Sequence, residues 1–342
     1  MKAVLLPGSG RVDVVERQDP VPGPGEALVR VRASALCRSD MTLYDGTPIV
    51  GGAAAGKGAI VPGHEAAGEI AAVGSGVVGL APGDRVAVHL ALGCGHCRWC
   101  LRGYRMLCAA WRCVGFDVDG GDAEYLVVPA VNCLPILDAM SFDTAALSTD
   151  MIGTQYSTQK RLGVSGNDTV AVFGIGPMGA AAILVAKARG ARVLAVDILD
   201  TRLAMAAKLG ADALIDSRVV DPASQIRELT GGEGADMGLE CSGSPAGQNA
   251  ALDAARRFGS VAFIGESRST TIDPSNQFIR KLLTVIGAWY FASWEYPEIA
   301  DFIIAHDLPV EQLITHRFSL DQAAEAFRMF HARETEKAIF NP

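Results

Sequence analysis

Val170-Ala171-Val172-Phe173-Gly174-Ile175-Gly176-Pro177-Met178-Gly179 passes from four apolar residues through three glycines into the alanine-rich stretch 180–189. The apolar run bounded by glycine reads as a buried strand, and Pro177 reads as the first residue of a helix. The spacing is G-x-G-x-x-G. In a dinucleotide-binding turn the first glycine permits the bend, the second lets a pyrophosphate reach the backbone, and the third lets helix and strand pack closely. The helix N-terminus then faces the phosphates. The competing reading is an ordinary tight turn. A second strand, 192–196, ends at Asp197, eighteen residues past Gly179, where a carboxylate accepts hydrogen bonds from the adenosine ribose. Together these features point to a dinucleotide held by Gly174, Gly176, Pro177, Met178, Gly179 and Asp197. A carboxylate at 197 repels a 2′-phosphate, which favours NAD over NADP. A solvated strand-end charge is the competing reading for Asp197, and Arg202, one helical turn on, keeps NADP open.

Outward from this turn, strand-like runs at 170–173, 192–196, 213–215, 237–240 and 260–264 alternate with helical runs at 177–189, 202–209, 222–229 and 246–257. That alternation predicts an α/β, Rossmann-type, doubly wound parallel sheet over residues 151–288. Earlier residues differ. Extended segments at 27–32, 68–73 and 84–88 are broken by Pro22-Gly23-Pro24-Gly25 and Pro82-Gly83-Asp84, the pattern of a mostly β domain. After about Gly287 the alternation stops, and one helix, Leu320 to Ala332, shows apolar residues at Leu320, Ala323, Ala324, Phe327 and Phe330. This tail is small for an independent core, so it is expected to join the first part. The expected organisation is a domain of residues 1–150 and 289–342 around an inserted 151–288. Gly51 to Ala59, all Gly and Ala except Lys57, reads as a loop.

The chain has 342 residues, 49 % of them hydrophobic, which suits two domains with cores and excludes disorder. A net charge of −8 argues against nucleic acid as a partner. The apolar run at Met1–Gly8 is too short for a signal peptide, and Val170–Ala186 falls short of a membrane span. A cytoplasmic protein with reduced thiols and no membrane partner is expected. Four of the eight cysteines, Cys94, Cys97, Cys100 and Cys108, lie within fifteen residues. Four thiols so spaced can converge on one structural Zn²⁺ in the lobe 94–108. Two disulfides, the alternative, would strain the lobe and need an oxidising compartment. Arg98, Arg102 and Arg105 either offset the thiolate charge or simply face solvent; His96 is expected to be exposed. Cys113, Cys133 and Cys241 read as core thiols.

A dispersed set remains: Cys37-Arg38-Ser39-Asp40, His64-Glu65, and Asp150, which by itself reads equally well as a helix cap. Gly63-His64-Glu65-Ala66-Ala67-Gly68, five residues, Gly74, two residues and Val77 resemble the zinc-containing alcohol dehydrogenase signature. With Cys37-Arg38-Ser39-Asp40, Pro82-Gly83-Asp84-Arg85-Val86, the cysteine lobe and the glycine turn, the chain resembles the medium-chain dehydrogenase/reductase superfamily nearly end to end. The polyol, threonine and secondary-alcohol branches are most similar, because Asp150 stands where others carry a cysteine.

The resemblance implies a GroES-like catalytic domain and a second, catalytic zinc held by Cys37, His64 and Asp150, with Glu65 close by as alternating ligand or outer carboxylate. It implies that Asp40 orients His64 and that Ser39 relays the substrate's hydroxyl proton. A relay histidine of many relatives is replaced by Thr42, which is no base near neutral pH; water or Glu65 would then accept the proton. Arg38 matches a pyrophosphate contact in some relatives. Ser242, Ile264, Gly265, Ile286 and Ala288, at the ends of later strands, are further cofactor candidates, with plain turn roles as the alternative. Tyr44, Trp111, Phe116, Trp289 and Tyr290 line either a substrate pocket or the core. The expected activity is hydride transfer between a secondary alcohol, polyol, cyclitol or amino-alcohol and NAD, by a homodimer or homotetramer. Competing readings are a zinc-free quinone or enoyl reductase and a non-catalytic NAD-binding protein.

Overall fold

The computed structural model describes residues 1–47 and 60–342; the Gly/Ala-rich stretch 51–59 lies outside the described residues. One unit comprises Met1–Gly153, Phe291–Ala305 and Val310–Pro342, the other Thr154–Tyr290 and His306–Pro309. The first unit holds β1 (Lys2–Gly8), β2 (Arg11–Glu16), β3 (Glu26–Ala35), β4 (Glu65–Val73), β5 (Arg85–Val88), β6 (Ala91–Leu92), β7 (Arg112–Cys113), β8 (Tyr125–Pro129) and β9 (Cys133–Pro135). The second holds β10 (Thr169–Phe173), β11 (Arg192–Asp197), β12 (Ala213–Asp216), β13 (Ala235–Glu240), β14 (Ala255–Phe263) and β15 (Thr284–Gly287). Two strands near the C-terminus, β16 (Ile314–Phe318) and β17 (Lys337–Phe340), belong to the first unit again.

In the second unit the strand order is β12-β11-β10-β13-β14-β15, every neighbouring pair parallel. The sheet grows from β10 in one direction through β12, then in the other from β13. Ligands bind at such a reversal, beyond the carboxyl ends of the strands, and the glycine turn follows β10 there. Val170, Ala171, Val172 and Phe173 are all buried because helices cover both faces of a doubly wound sheet. The helices start as the sequence directs. Asp221 and Ser244 cap Pro222–Leu229 and Pro245–Ala254 by accepting the Ser224 and Gly247 amides, and proline follows each cap.

One expected helix is shorter than its composition suggests. The run 246–257 is helical only to Ala254; Ala255 opens β14, which ends at Phe263, just before Ile264. Arg256 is therefore in a strand, its Nε 2.5 Å from Asp236 on β13. Strand pairing and this ion pair override local helix propensity.

In the first unit the main sheet runs β16-β17-β3-β4-β5-β9, with β8 also paired to β3. Along β3, buried Ala27, Val29, Val31 and Ala33 alternate with more exposed residues, the period of a half-buried strand. Of these, Ala27, Val29 and Val31 pack with Ala66, Ile70, Val86, Val88, Leu126 and Val128. The C-terminal residues are richer than the single expected helix. Tyr296–Ala305 is also helical, burying Tyr296, Ile299, Ala300 and Ile303, and β16 and β17 extend the sheet through β3. The expected helix 320–332 begins as a tight turn, Leu320–Gln322, before the α-helix Ala323–His331. Among the described residues no helix is long and apolar enough to cross a membrane.

Candidate metal centre and cofactor turn

Gly174 takes a φ of +83°, and a Cβ there would meet Ser242. A Cβ on Gly179 would overlap the Gly174 carbonyl oxygen. The protein's own backbone therefore demands these two glycines. Gly176 differs: it precedes the helix Pro177–Ala188, and a Cβ there would meet nothing within 4 Å. The space beside Gly176 suits a group approaching from outside, at a helix N-terminus that offers free amides to an anion. Asp197, ending β11, accepts the Ile175 amide at 2.6 Å through Oδ2 and the Ile198 and Leu199 amides at 2.7 and 3.0 Å through Oδ1. It is thus locked to the glycine turn, and Oδ2, which accepts one amide, keeps a second lone pair for a ribose hydroxyl. Arg202 reaches the Ile175 carbonyl at 3.5 Å.

The later cofactor candidates share the carboxyl end of this sheet. Glu240, ending β13, accepts the Ser242 and Gly243 amides at 2.8 and 3.2 Å together with the Ser242 hydroxyl. The amides of Ile264 and Gly265 donate to the Glu240 carbonyl, and that of Ala288, just past Ile286, to the Phe263 carbonyl.

In the first unit, register builds a second centre. Ala35 of β3 pairs with Glu65 of β4, so Cys37, two residues beyond, and His64 emerge at the same end of the sheet. Asp150 lies in a π-helical turn, Ser148–Ile152, continuing the helix Phe142–Leu147; it is not a helix cap. Such turns commonly mark functional sites. One ligand atom each of Cys37, His64, Glu65 and Asp150 lies within 4.8 Å of the other three. Asp150 Oδ2 is 3.6 Å from His64 Nε2 and 3.9 Å from Cys37 Sγ. Behind them, Asp40 holds His64 Nδ1 at 3.1 Å with one oxygen and accepts the Cys37 amide at 2.8 Å with the other. Burial disfavours a charged His64, but Asp40, with hydrogen bonds to Asp150 and Cys37, lifts its basicity well above the ordinary range. Burial pushes the Glu65 carboxyl up to about 7 against the pull of Lys337.

Ser39 Oγ stands 3.4 Å from His64 Nε2, and Thr42 donates its hydroxyl to the Ser39 carbonyl at 2.7 Å. Arg38 is exposed. Of the aromatic candidates, Phe116 packs on the His64 ring at 5.4 Å, Tyr44 stacks on Phe327, and Trp289 stacks on Tyr290. Three buried groups carry no sequence signal. Lys337 Nζ lies 2.5 Å from Glu65 Oε1 across 272 residues of chain. Asp122 accepts the Ser34 hydroxyl at 2.7 Å, and burial pushes its carboxyl up to about 8. His89 bonds the Phe291 carbonyl and the Ala91 amide.

The cysteine lobe forms a third cluster. Cys94, Cys97, Cys100 and Cys108 are free thiols whose sulfurs all lie within 4.8 Å of one another, Cys97 and Cys100 at 3.5 Å and Cys94 and Cys100 at 4.0 Å. The His96 and Cys97 amides lower the Cys94 thiol to about 6, whereas burial pushes Cys100 up to about 12. His96 is exposed and faces the Cys94 carbonyl. Arg98 lies over the Trp99 ring, and Arg105 donates to Ser293.

Comparison with known proteins agrees with this geometry. Residues 23–138 match the family model described as the alcohol dehydrogenase GroES-like domain, and 177–305 that described as zinc-binding dehydrogenase. An uncharacterized zinc-type alcohol dehydrogenase-like protein of Escherichia coli, YphC, is 35% identical, covering 100% of this chain and 98% of its own. The L-threonine 3-dehydrogenase of Pyrococcus horikoshii is 34% identical over 98% of this chain and 96% of its own. The chain belongs to the zinc-containing alcohol dehydrogenase family. Among solved structures, alcohol dehydrogenase TADH from Thermus sp. ATN1 superposes with a TM-score of 0.91 at 30% identity, covering 100% of this chain and 99% of that one.

The residues fit the two zinc ions typical of a zinc-containing alcohol dehydrogenase. Bonds of zinc length at the tetrahedral angle separate two thiolates by about 3.8 Å, imidazole N and carboxylate O by about 3.4 Å, and S and O by about 3.6 Å. The sulfur and ligand separations above lie close to these. Glu65 brings one carboxylate oxygen within 4.8 Å of the Cys37, His64 and Asp150 ligand atoms, and its Oε2 is buried without a hydrogen-bond partner, an orphan that a cation would satisfy.

Proposed function

We propose that the protein oxidises a secondary alcohol, polyol, cyclitol or amino-alcohol with NAD, or reduces the matching ketone. The carrying observation is the convergence of Cys37, His64, Glu65 and Asp150 in one cluster backed by Asp40. In this reading Cys37, His64 and Asp150 hold the catalytic zinc, and Cys94, Cys97, Cys100 and Cys108 the structural one. The catalytic ion supplies a Lewis acid that makes the substrate hydroxyl more acidic. Asp40 accepts the Nδ1 proton of His64 and so turns the Nε2 lone pair into the cluster. Cys37 and Asp150 bring two anionic ligands to a dication. Ser39 stands first in line for the hydroxyl proton. Thr42 does not extend the line, because its own proton is committed to the Ser39 carbonyl; solvent or Glu65 takes the proton next. NAD, bound along Gly174–Gly179 and Asp197 with Ser242, Gly265 and Ala288 nearby on the same sheet end, supplies the hydride acceptor.

The test is NADH formation across secondary alcohols, polyols, cyclitols and amino-alcohols, each with an NADP control. L-Threonine belongs in the panel because a relative carries threonine dehydrogenase in its name. Turnover of one class with NAD exceeding NADP supports the reading; no turnover of any class contradicts it. A zinc-free quinone or enoyl reductase is not favoured, because it would have no use for a buried Cys, His and Asp set. The reading places the protein in the cytoplasm, in keeping with eight free thiols, and takes it as a homodimer or homotetramer; light scattering on the purified protein checks its mass.

A further inference from the structure

The C-terminal strand β17 pairs antiparallel with β3, Ile339 opposite Ala35 and Phe340 opposite Ser34. Continued by two residues, that register brings Lys337 opposite Cys37. On the other side of β3, Ala35 pairs with Glu65. The topology thus delivers a lysine and a glutamate from distant parts of the chain to the end of β3 where Cys37 emerges. Both side chains are buried, at 1% and 0% exposure, with Nζ 2.5 Å from Oε1. Glu65 is the one hydrogen-bond partner of this ammonium among the described residues, while Oε2 of the same carboxylate has none.

Stability alone does not account for the pair. Taking two ions out of water costs several kcal/mol each, and apolar replacements of similar volume are often neutral or stabilising. Charge at the metal centre does account for it. Cys37, Asp150 and Glu65 are three anions when ionised, one more than a zinc dication balances, and the Asp40 carboxylate buried behind His64 adds to the negative charge; Lys337 brings a positive charge against it. Without Lys337, the Glu65 carboxylate would have only the metal to satisfy it, and one of its oxygens already lies within 4.8 Å of the other ligand atoms. A catalytic zinc needs one position open to substrate.

We propose that Lys337 is a positioning residue of the metal centre, holding Glu65 through Oε1 beside the metal rather than bonded to it, so that the fourth position stays open. This rests on the assignment of Cys37, His64 and Asp150 as ligands of the catalytic metal. The experiment replaces zinc with cobalt in the full-length protein and titrates imidazole, a small ligand for the open position, against the visible cobalt bands. Lys337→Met should weaken imidazole binding about tenfold, the scale on which groups behind a metal site act. Lys337→Arg, which keeps the charge, should stay near wild type, and adding Glu65→Gln to Lys337→Met should restore binding, because the competing carboxylate is gone. Unchanged binding in Lys337→Met, or weakening that Glu65→Gln does not relieve, overturns the proposal. Should Lys337→Met not fold, Glu65→Gln alone decides: imidazole as tight as in wild type or tighter supports the proposal, and weaker binding overturns it. A wild-type protein that takes up cobalt only in the cysteine lobe overturns the underlying ligand assignment instead, an outcome visible before any variant is made.

Discussion

Asp150 bears the sharpest demand of any single residue. Its carboxylate faces both His64 Nε2 and Cys37 Sγ, so an amide of the same shape keeps the packing and loses the anionic ligand. Asp150→Asn should therefore cut turnover by at least about a hundredfold while leaving NAD affinity unchanged, read by steady-state kinetics and by quenching of protein fluorescence on NAD titration. Wild-type turnover would refute its metal role. His89 makes a separate pH prediction. Burial lowers its pKa from 6.5 to about 4, against the opposing pull of its hydrogen bonds to the Phe291 and Ala91 backbone. The unfolded chain binds that proton near pH 6.5 and the folded one does not, so stability is full above that pH and falls between 6.5 and 4. The loss amounts to about 3 kcal/mol at most. In denaturant melts at pH 7 and pH 4.5, His89→Gln should be less stable at pH 7 but show a shallower loss at pH 4.5; an equal loss would contradict the assignment. Residues such as Cys37, His64 and the four lobe cysteines were legible in the sequence because their chemistry is unusual and their neighbours in the chain share the motif. Lys337 and Asp122 were not, because a lone lysine in Glu336-Lys337-Ala338 looks like a surface charge until β17 is placed beside β3.

At the scale of elements, the glycine turn was readable because every constraint on it is local: a strand end, a bend, a helix start. The structure divides the three glycines by cause, and that division can be tested. Gly179→Ala drives a methyl into the Gly174 carbonyl and should both lower the melting temperature and weaken NAD binding. Gly176→Ala meets no protein atom within 4 Å, so it should leave the melting temperature unchanged and weaken only NAD, measured by calorimetric titration. A Gly176→Ala protein that binds NAD normally would argue against a pyrophosphate at this turn. The lobe gives a second element-level prediction. Cys100 is buried among the other three sulfurs, and Cys100→Ser should release one zinc and destabilise residues 94–108 to proteolysis, since a closed thiolate site contributes folding energy. Zinc content equal to wild type would contradict it. Element boundaries were less legible than the turn. The helix that stops at Ala254 continues by propensity into Arg256 and Arg257, and only pairing of β14 with β13 ends it. Tyr296–Ala305 had its apolar period in plain view, yet it stands outside the alternation that organised the reading of 151–288.

For the whole molecule, the α/β class and the mostly β character of the early residues followed from alternation and turn chemistry, both properties of contiguous sequence. The strand order did not, since the reversal at β10 and the insertion of β17 beside β3 are long-range choices that no window of sequence contains. The metal centre depends on that second choice, with Cys37, His64, Asp150 and Lys337 drawn from four separated segments of one unit. The central claim is that this unit carries a catalytic zinc besides the structural one. The most direct measurement is zinc per chain, by plasma emission on dialysed protein, in wild type and in Cys37→Ser. Two four-coordinate sites predict about two zinc in wild type and about one in Cys37→Ser; one zinc in wild type, or no loss on replacing Cys37, would contradict it.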